Sequence, residues 1–179
     1  MVDIFITHIH EDEIAARGLH QFLQSKMKDW TAKIFLSSDP SQLRLGDDWL
    51  MKIREALKSA KVVLALFSPE SVGRPWVNFE AGGAWFAENK ILIPLCIGTL
   101  RPEGLPKPYS NIQGAHLEDD GAPYYLVQTI WDVFKPPVLS PIPFLDKDDD
   151  VAQLVKNLEW WKNQRRAEEA YKRRLKIEE

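Results

Sequence analysis

Apolar positions along the chain follow two rhythms that alternate. Four short runs, residues 2–7, 33–36, 61–67 and 90–97, are continuous in apolar character and rich in β-branched and aromatic side chains. A strand with one wet face would alternate, so these runs predict strands covered on both faces. A weaker fifth run spans residues 115–117. Between the runs the period becomes helical. Ile14, Leu19, Phe22 and Leu23 set a stripe on a helix over residues 11–27, and Trp49, Ile53, Ala56, Leu57 and Ala60 do so over 47–60. Asp47 suits the N-cap of that second helix. Trp76, Phe79, Gly83 and Phe86 mark a third over 75–89, with Pro75 in its first turn. Leu126, Ile130, Val133 and Phe134 mark a fourth, which ends at Lys135-Pro136-Pro137.

Strands alternating with helices imply right-handed crossovers. The expected fold class is therefore α/β: a flavodoxin-like open sheet of five parallel strands, order 2-1-3-4-5, with helices on both faces and a C-terminal helix. Three parts are expected: a domain over 1–134, a linker over 135–150 and an amphipathic helix over 151–179. Pro136, Pro137, Pro141 and Pro143 stiffen the linker. The acidic run at 146–150 offers a cap, and Val151, Leu154, Val155, Leu158 and Trp161 form the helix's apolar face. Beyond Trp161 the sequence is almost wholly polar, so the helix is expected to dock through its first half and project its second.

Composition narrows the classes. The hydrophobic fraction is 45%, the net charge is −3, and there are seven Trp and eight Phe. A balance of that sign argues against a nucleic-acid binder, which needs a concentrated basic face. The lone Cys96 excludes an internal disulfide. No leader pattern opens the sequence and no run is long enough to span a bilayer, so a cytoplasmic protein without a membrane partner is expected.

Ligands of open parallel sheets bind beyond the carboxyl ends of the strands, here after Thr7, Leu36, Phe67 and Ile97. The segment richest in chemistry is Trp76-Val77-Asn78-Phe79-Glu80. Its Trp and Glu are four apart and share a helix face. By spacing alone such a pair is more often a packed indole and a solvated acid. His8 and His10 lack a third ligand, so no metal is expected. Gly82-Gly83 falls inside a helix, where it suits close packing and not phosphate binding. Ser68 has no His–Asp pair and reads as turn chemistry.

Taken in order, five segments resemble a bacterial-type Toll/interleukin-1 receptor (TIR) domain. They are Phe5-Ile6-Thr7-His8 at the end of the first strand, the Gly46 loop after the second, Ser68-Pro69, Trp76-x-x-x-Glu80, and Ile93-Pro94-Leu95. The resemblance covers residues 1–134. Thr7 stands where Ser is commoner in the family, and the hydroxyl is kept. One branch of the family cleaves NAD+ and another signals by self-association.

The resemblance implies Glu80 as the catalytic carboxylate. Ile6, Thr7 and His8 would floor the cleft, Ser37, Ser38 and Asp39 would wall it, and Trp49 and Trp76 would join them as substrate-binding residues. Trp76 would pack beneath Glu80 and fix its rotamer. The loop carrying Ser38, Asp39, Leu45, Gly46 and Asp47 would contact the adenine end or a neighbouring subunit. NAD+ is expected as substrate, with no cofactor. The resemblance further implies self-association, activation by assembly and a partner in prokaryotic defence. Two other readings stay open: a non-catalytic interaction module, and a deoxyribosyltransferase-like enzyme that also uses a lone carboxylate. Glu80 is expected to be partly exposed, so that its replacement by Gln leaves stability nearly unchanged.

Overall fold

Five strands form one sheet, all parallel, in the order β2-β1-β3-β4-β5. They are β1 (Ile4–Thr7), β2 (Ile34–Leu36), β3 (Val62–Phe67), β4 (Ile91–Cys96) and the two-residue β5 (Ala115–His116). The computed structural model describes residues 2–30, 32–37, 48–135 and 148–175. The helices are α1 (Glu13–Lys26), α2 (Trp49–Ser59), α3 (Pro75–Trp85), α4 (Ala122–Phe134) and α5 (Asp149–Leu175).

The continuous apolar runs follow from the two layers. Ile4 and Ile6, Leu64 and Leu66, and Ile93 and Leu95 join a core beneath α1, α4 and α5. Phe5, Val63, Ala65, Phe67 and Cys96 alternate with them and face α2 and α3. Every residue of β1 and β3 is fully buried. Neither face is wet, so no polar alternation is visible.

Helix ends differ from the expected bounds for local reasons. The first helix is preceded by a 3-10 turn, His10–Asp12, and starts at Glu13. The cap of α2 is Asp48, whose carboxylate accepts from Met51 N–H at 3.1 Å; Asp47 lies outside the described residues. Helix α3 stops at Trp85, short of 89. Asn89 has φ +66°, and Lys90 Nζ reaches back 2.9 Å to the Lys58 carbonyl at the end of α2.

The apolar stripe expected for α3 faces the wrong way. Val77, Ala81 and Ala84 are its buried apolar residues, whereas Phe79 is 69% and Phe86 89% exposed. Small side chains let the helix axis approach the sheet, and the large aromatics are left outside. Gly82 is not explained by close packing, since an added Cβ there would meet nothing within 4 Å.

Helix α5 lies along α1. Its start is fixed by Asp148, which accepts from Asp150 N–H at 3.0 Å and Tyr124 OH at 3.0 Å and pairs with Lys26. Leu154, Leu158, Trp161 and Arg165 are its buried residues, and residues 166–175 are exposed. The two helices approach closely at Gly18 of α1, where an added Cβ would stand 2.8 Å from Asn157 Cβ. No described helix is long and apolar enough to cross a membrane.

This crossing generates a test. Alanine at an exposed helix position would gain about 1 kcal/mol over glycine. At Gly18 the steric clash outweighs that gain, as overpacking typically costs about 1–3 kcal/mol. Denaturant titration is expected to find Gly18→Ala less stable than wild type. Adding Asn157→Gly should recover part of the loss.

Candidate functional site

The end of β1 and the middle of α3 meet at the carboxyl rim of the sheet. Thr7 lies in register with Ala65 of β3, and its side chain leaves the sheet on the α3 face, as Phe5 does. Helix α3 arrives there by a short route. Ser71–Gly73 forms a 3-10 turn after β3, Arg74 is extended, and Pro75 fits the first helical position. Asn78 Nδ2 then donates to the carbonyls of Val72 at 3.1 Å and Arg74 at 3.0 Å, which fastens the helix to the turn leading into it.

This geometry turns Glu80 inward. Its carboxyl is fully buried, at 0% exposure, and Thr7 Oγ1 donates a hydrogen bond to Glu80 Oε2. Oε1 has no hydrogen-bond partner among the described residues. Burial penalises the charged form and pushes the Glu80 carboxyl up to about 7. Hydrogen bonding by Thr7 and then by Trp76 opposes that rise without cancelling it. The cavity of about 620 Å³ beside β4 and β5 is lined by other residues, among them Arg101, His116 and Asp119. The expectation of a partly exposed carboxylate is therefore corrected: Ala81 and Ala84 bring α3 so close to the sheet that the acid between them and Trp76 is covered.

The remaining predicted residues separate into four groups. Thr7 and Trp76 stand at Glu80. Ile6 is adjacent in sequence, but its side chain belongs to the core on the α1 face and does not meet the carboxyl. His8 and Ser37 form a second buried pair at the β1–β2 rim, with Ser37 Oγ 3.4 Å from His8 Nδ1. Burial lowers His8 to about 4, so its imidazole is neutral. Ser38, Asp39, Leu45, Gly46, Asp47 and the side chain of Trp49 lie outside the described residues.

A further buried acid escaped the sequence reading. Asp12 is fully buried at the start of α1. Its Oδ2 accepts from Ser68 Oγ at 2.8 Å and its Oδ1 from Trp161 Nε1 at 3.2 Å. Desolvation lifts it to about 6, against the pull of those two donors and Arg165. The acidic run Glu11-Asp12-Glu13 reads as a solvated helix start, and its decisive partner is 149 residues away. Ser68 is turn chemistry, as expected: Ser68 N–H donates to Ser71 Oγ at 2.7 Å and Ser71 N–H to Ser68 Oγ at 3.2 Å. Arg74 forms a surface ion pair with Glu11 at 2.8 Å, and His116 Nε2 lies 2.9 Å from the Gly98 carbonyl.

Comparison with known proteins agrees with this architecture. A family model described as a TIR domain matches residues 4–127. No curated protein matches the chain. Among solved structures, a metazoan TIR-STING receptor from C. gigas is similar at a TM-score of 0.50 and 18% identity. The similarity covers 78% of this chain and 40% of the receptor, so the chain spans well under half of that protein. At that identity the likeness concerns the fold alone. The family match extends from the first strand into the fourth helix and includes both Thr7 and Glu80. The chain belongs to the TIR domain family.

Proposed function

We propose that this chain is an NAD+ nucleosidase, with Glu80 as the catalytic carboxylate. The observation that carries the reading is a buried acid on the α3 face at the carboxyl rim of the sheet, bonded to the hydroxyl that ends β1. Membership of a family that includes NAD+-cleaving enzymes supports it.

One carboxylate suffices for this reaction. Glycosidases that expel an alcohol use a second carboxyl to protonate the leaving oxygen. The nicotinamide of NAD+ is already cationic. When the bond between ribose C1′ and the ring nitrogen breaks, its electron pair goes to that nitrogen and a neutral molecule departs. Positive charge then develops on the ribose. An ionised Glu80 strengthens its interaction with the sugar as that charge grows, which is stabilisation specific to the transition state. Water then attacks C1′ and loses a proton, giving linear ADP-ribose; attack by an adenine nitrogen gives the cyclic form. Thr7 holds the acid at one oxygen and Trp76 braces it from the preceding turn. Self-association would switch the enzyme, in a cytoplasmic defence setting.

One observation favours the scaffold reading. Phe79 and Phe86 present apolar surface outward from α3, beside exposed Trp85. A module that works by assembly needs such a surface and does not need Glu80.

Nicotinamide release measured on Glu80→Gln separates the two readings. The enzyme reading expects a fall on the order of 10²–10³ in rate, as for loss of one preorganised electrostatic contact. Turnover at the wild-type rate would remove Glu80 from the chemistry.

Stability should respond in the opposite sense. The folded state binds the Glu80 proton more tightly than the unfolded chain does, so wild type loses stability as pH rises from about 4.5 through 7. A shift of that size corresponds to roughly 2–4 kcal/mol. Thermal melts should place Glu80→Gln above wild type at pH 8, with the gap closing toward pH 5.

The same carboxyl sets the pH profile. The anion is the active form, so kcat/KM should rise as pH rises through about 7. Thr7→Val removes a donor that favours the anion and should move the midpoint upward. A midpoint indifferent to Thr7 would contradict the assignment.

A further inference from the structure

Helix α5 does more than cover α1. Its buried turn reaches the connections that follow β1, β3, β4 and β5 together. Trp161 Nε1 donates to the Glu11 carbonyl and to Asp12 Oδ1, both at 3.2 Å. The same indole lies over Gly98 after β4, where an added Cβ would stand 3.1 Å from the ring. Arg165 pairs with Glu70 after β3, and Lys162 with Glu118 after β5.

Two of these ties lead toward Glu80. Asp12 accepts from Ser68, and Ser68 and Ser71 exchange hydrogen bonds through side chain and backbone. The Ser71 carbonyl accepts from Arg74 N–H at 2.9 Å, the residue before α3. Asn78 closes the chain by bonding the carbonyls of Val72 and Arg74. Arg165 grips the same connection at Glu70. The third tie, Lys162 to Glu118, leads to the β5–α4 connection and away from α3.

The carboxyl at the far end of this path is closed to solvent. A sugar reaches it only after α3 and its leading turn shift from β1. We propose that α5 clamps that turn from the opposite face of the sheet, so that Trp161 and Arg165 are positioning residues holding the Glu80 site shut. Here the regulated activity, though not the clamp, rests on the nucleosidase reading. A clamp of this kind lowers the population of the open form and so weakens apparent substrate affinity by that fraction.

The experiment uses the full chain with three single substitutions. Trp161→Phe keeps an aromatic ring in the core but removes the N–H and the outer indole edge that lies over Gly98. Arg165→Met removes the grip on Glu70. Lys162→Met cuts the tie that does not lead to α3. Amide hydrogen exchange over residues 68–80 is read beside the KM for NAD+ and kcat. Trp161→Phe and Arg165→Met are each expected to speed exchange in that segment by about tenfold or more, an opening shift of about 1.4 kcal/mol. KM should fall several-fold while kcat holds. Lys162→Met should leave the segment at the wild-type rate, and Arg165→Lys, which keeps the charge, should stay near wild type.

Exchange over 68–80 unchanged in both of the first two variants would overturn the clamp. So would an equal rise in Lys162→Met, since a merely structural role for α5 predicts that result. Faster exchange in a protein that releases no nicotinamide in any form would leave the clamp standing and defeat the nucleosidase reading instead.

Discussion

The hydrogen bond from Thr7 to Glu80 joins the last residue of the first strand to the middle of α3. Its setting is what makes it consequential. A carboxyl removed from water favours its neutral form unless donors or cations compensate. Short apolar side chains, Val77, Ala81 and Ala84, pack between α3 and the sheet, and Ala65 sits beside Thr7 in β3. Bulkier residues at those positions would lift the helix and let water reach the acid. The close packing of α3 and the raised pKa of Glu80 are thus one fact seen from two sides.

The fold was legible because a parallel sheet buried on both faces leaves a distinctive record. Each of the four longer runs became a strand, and their order is the one expected of a five-stranded doubly wound sheet. Directions were less legible. Helix α3 carries apolar residues all round, with Trp76, Phe79 and Phe86 on one arc and Val77, Ala81 and Ala84 on another. Periodicity favours the larger side chains. The packing buried the smaller apolar side chains, which bring the helix close to β1 and β3.

The candidate site shows the same division. Trp76, Glu80 and Thr7 could be matched from motif order, since each keeps a fixed place relative to its strand. Burial of the acid could not, because it depends on how close α3 lies. Ile6 is separated from the site by strand pleat alone, which sends its side chain to the opposite core. Asp12 was hidden for another reason. Its role depends on Trp161 and Ser68, and no local pattern brings three such distant residues together.

Two buried acids now stand near one rim, on opposite faces of the sheet, and their surroundings differ. Asp12 has both oxygens bonded, by Ser68 and Trp161, with Arg165 near enough to favour its charge. Its hydrogen-bonding capacity is used in joining elements, as in a structural network that specifies one arrangement. Glu80 has one oxygen bonded and the other without a partner among the described residues. Leaving a buried polar atom unmatched costs about 1–3 kcal/mol. Under the proposed nucleosidase reading, a ribose hydroxyl would supply the missing donor. The contrast between a satisfied acid and a half-satisfied one is the physical reason for proposing a structural role for Asp12 and a chemical one for Glu80.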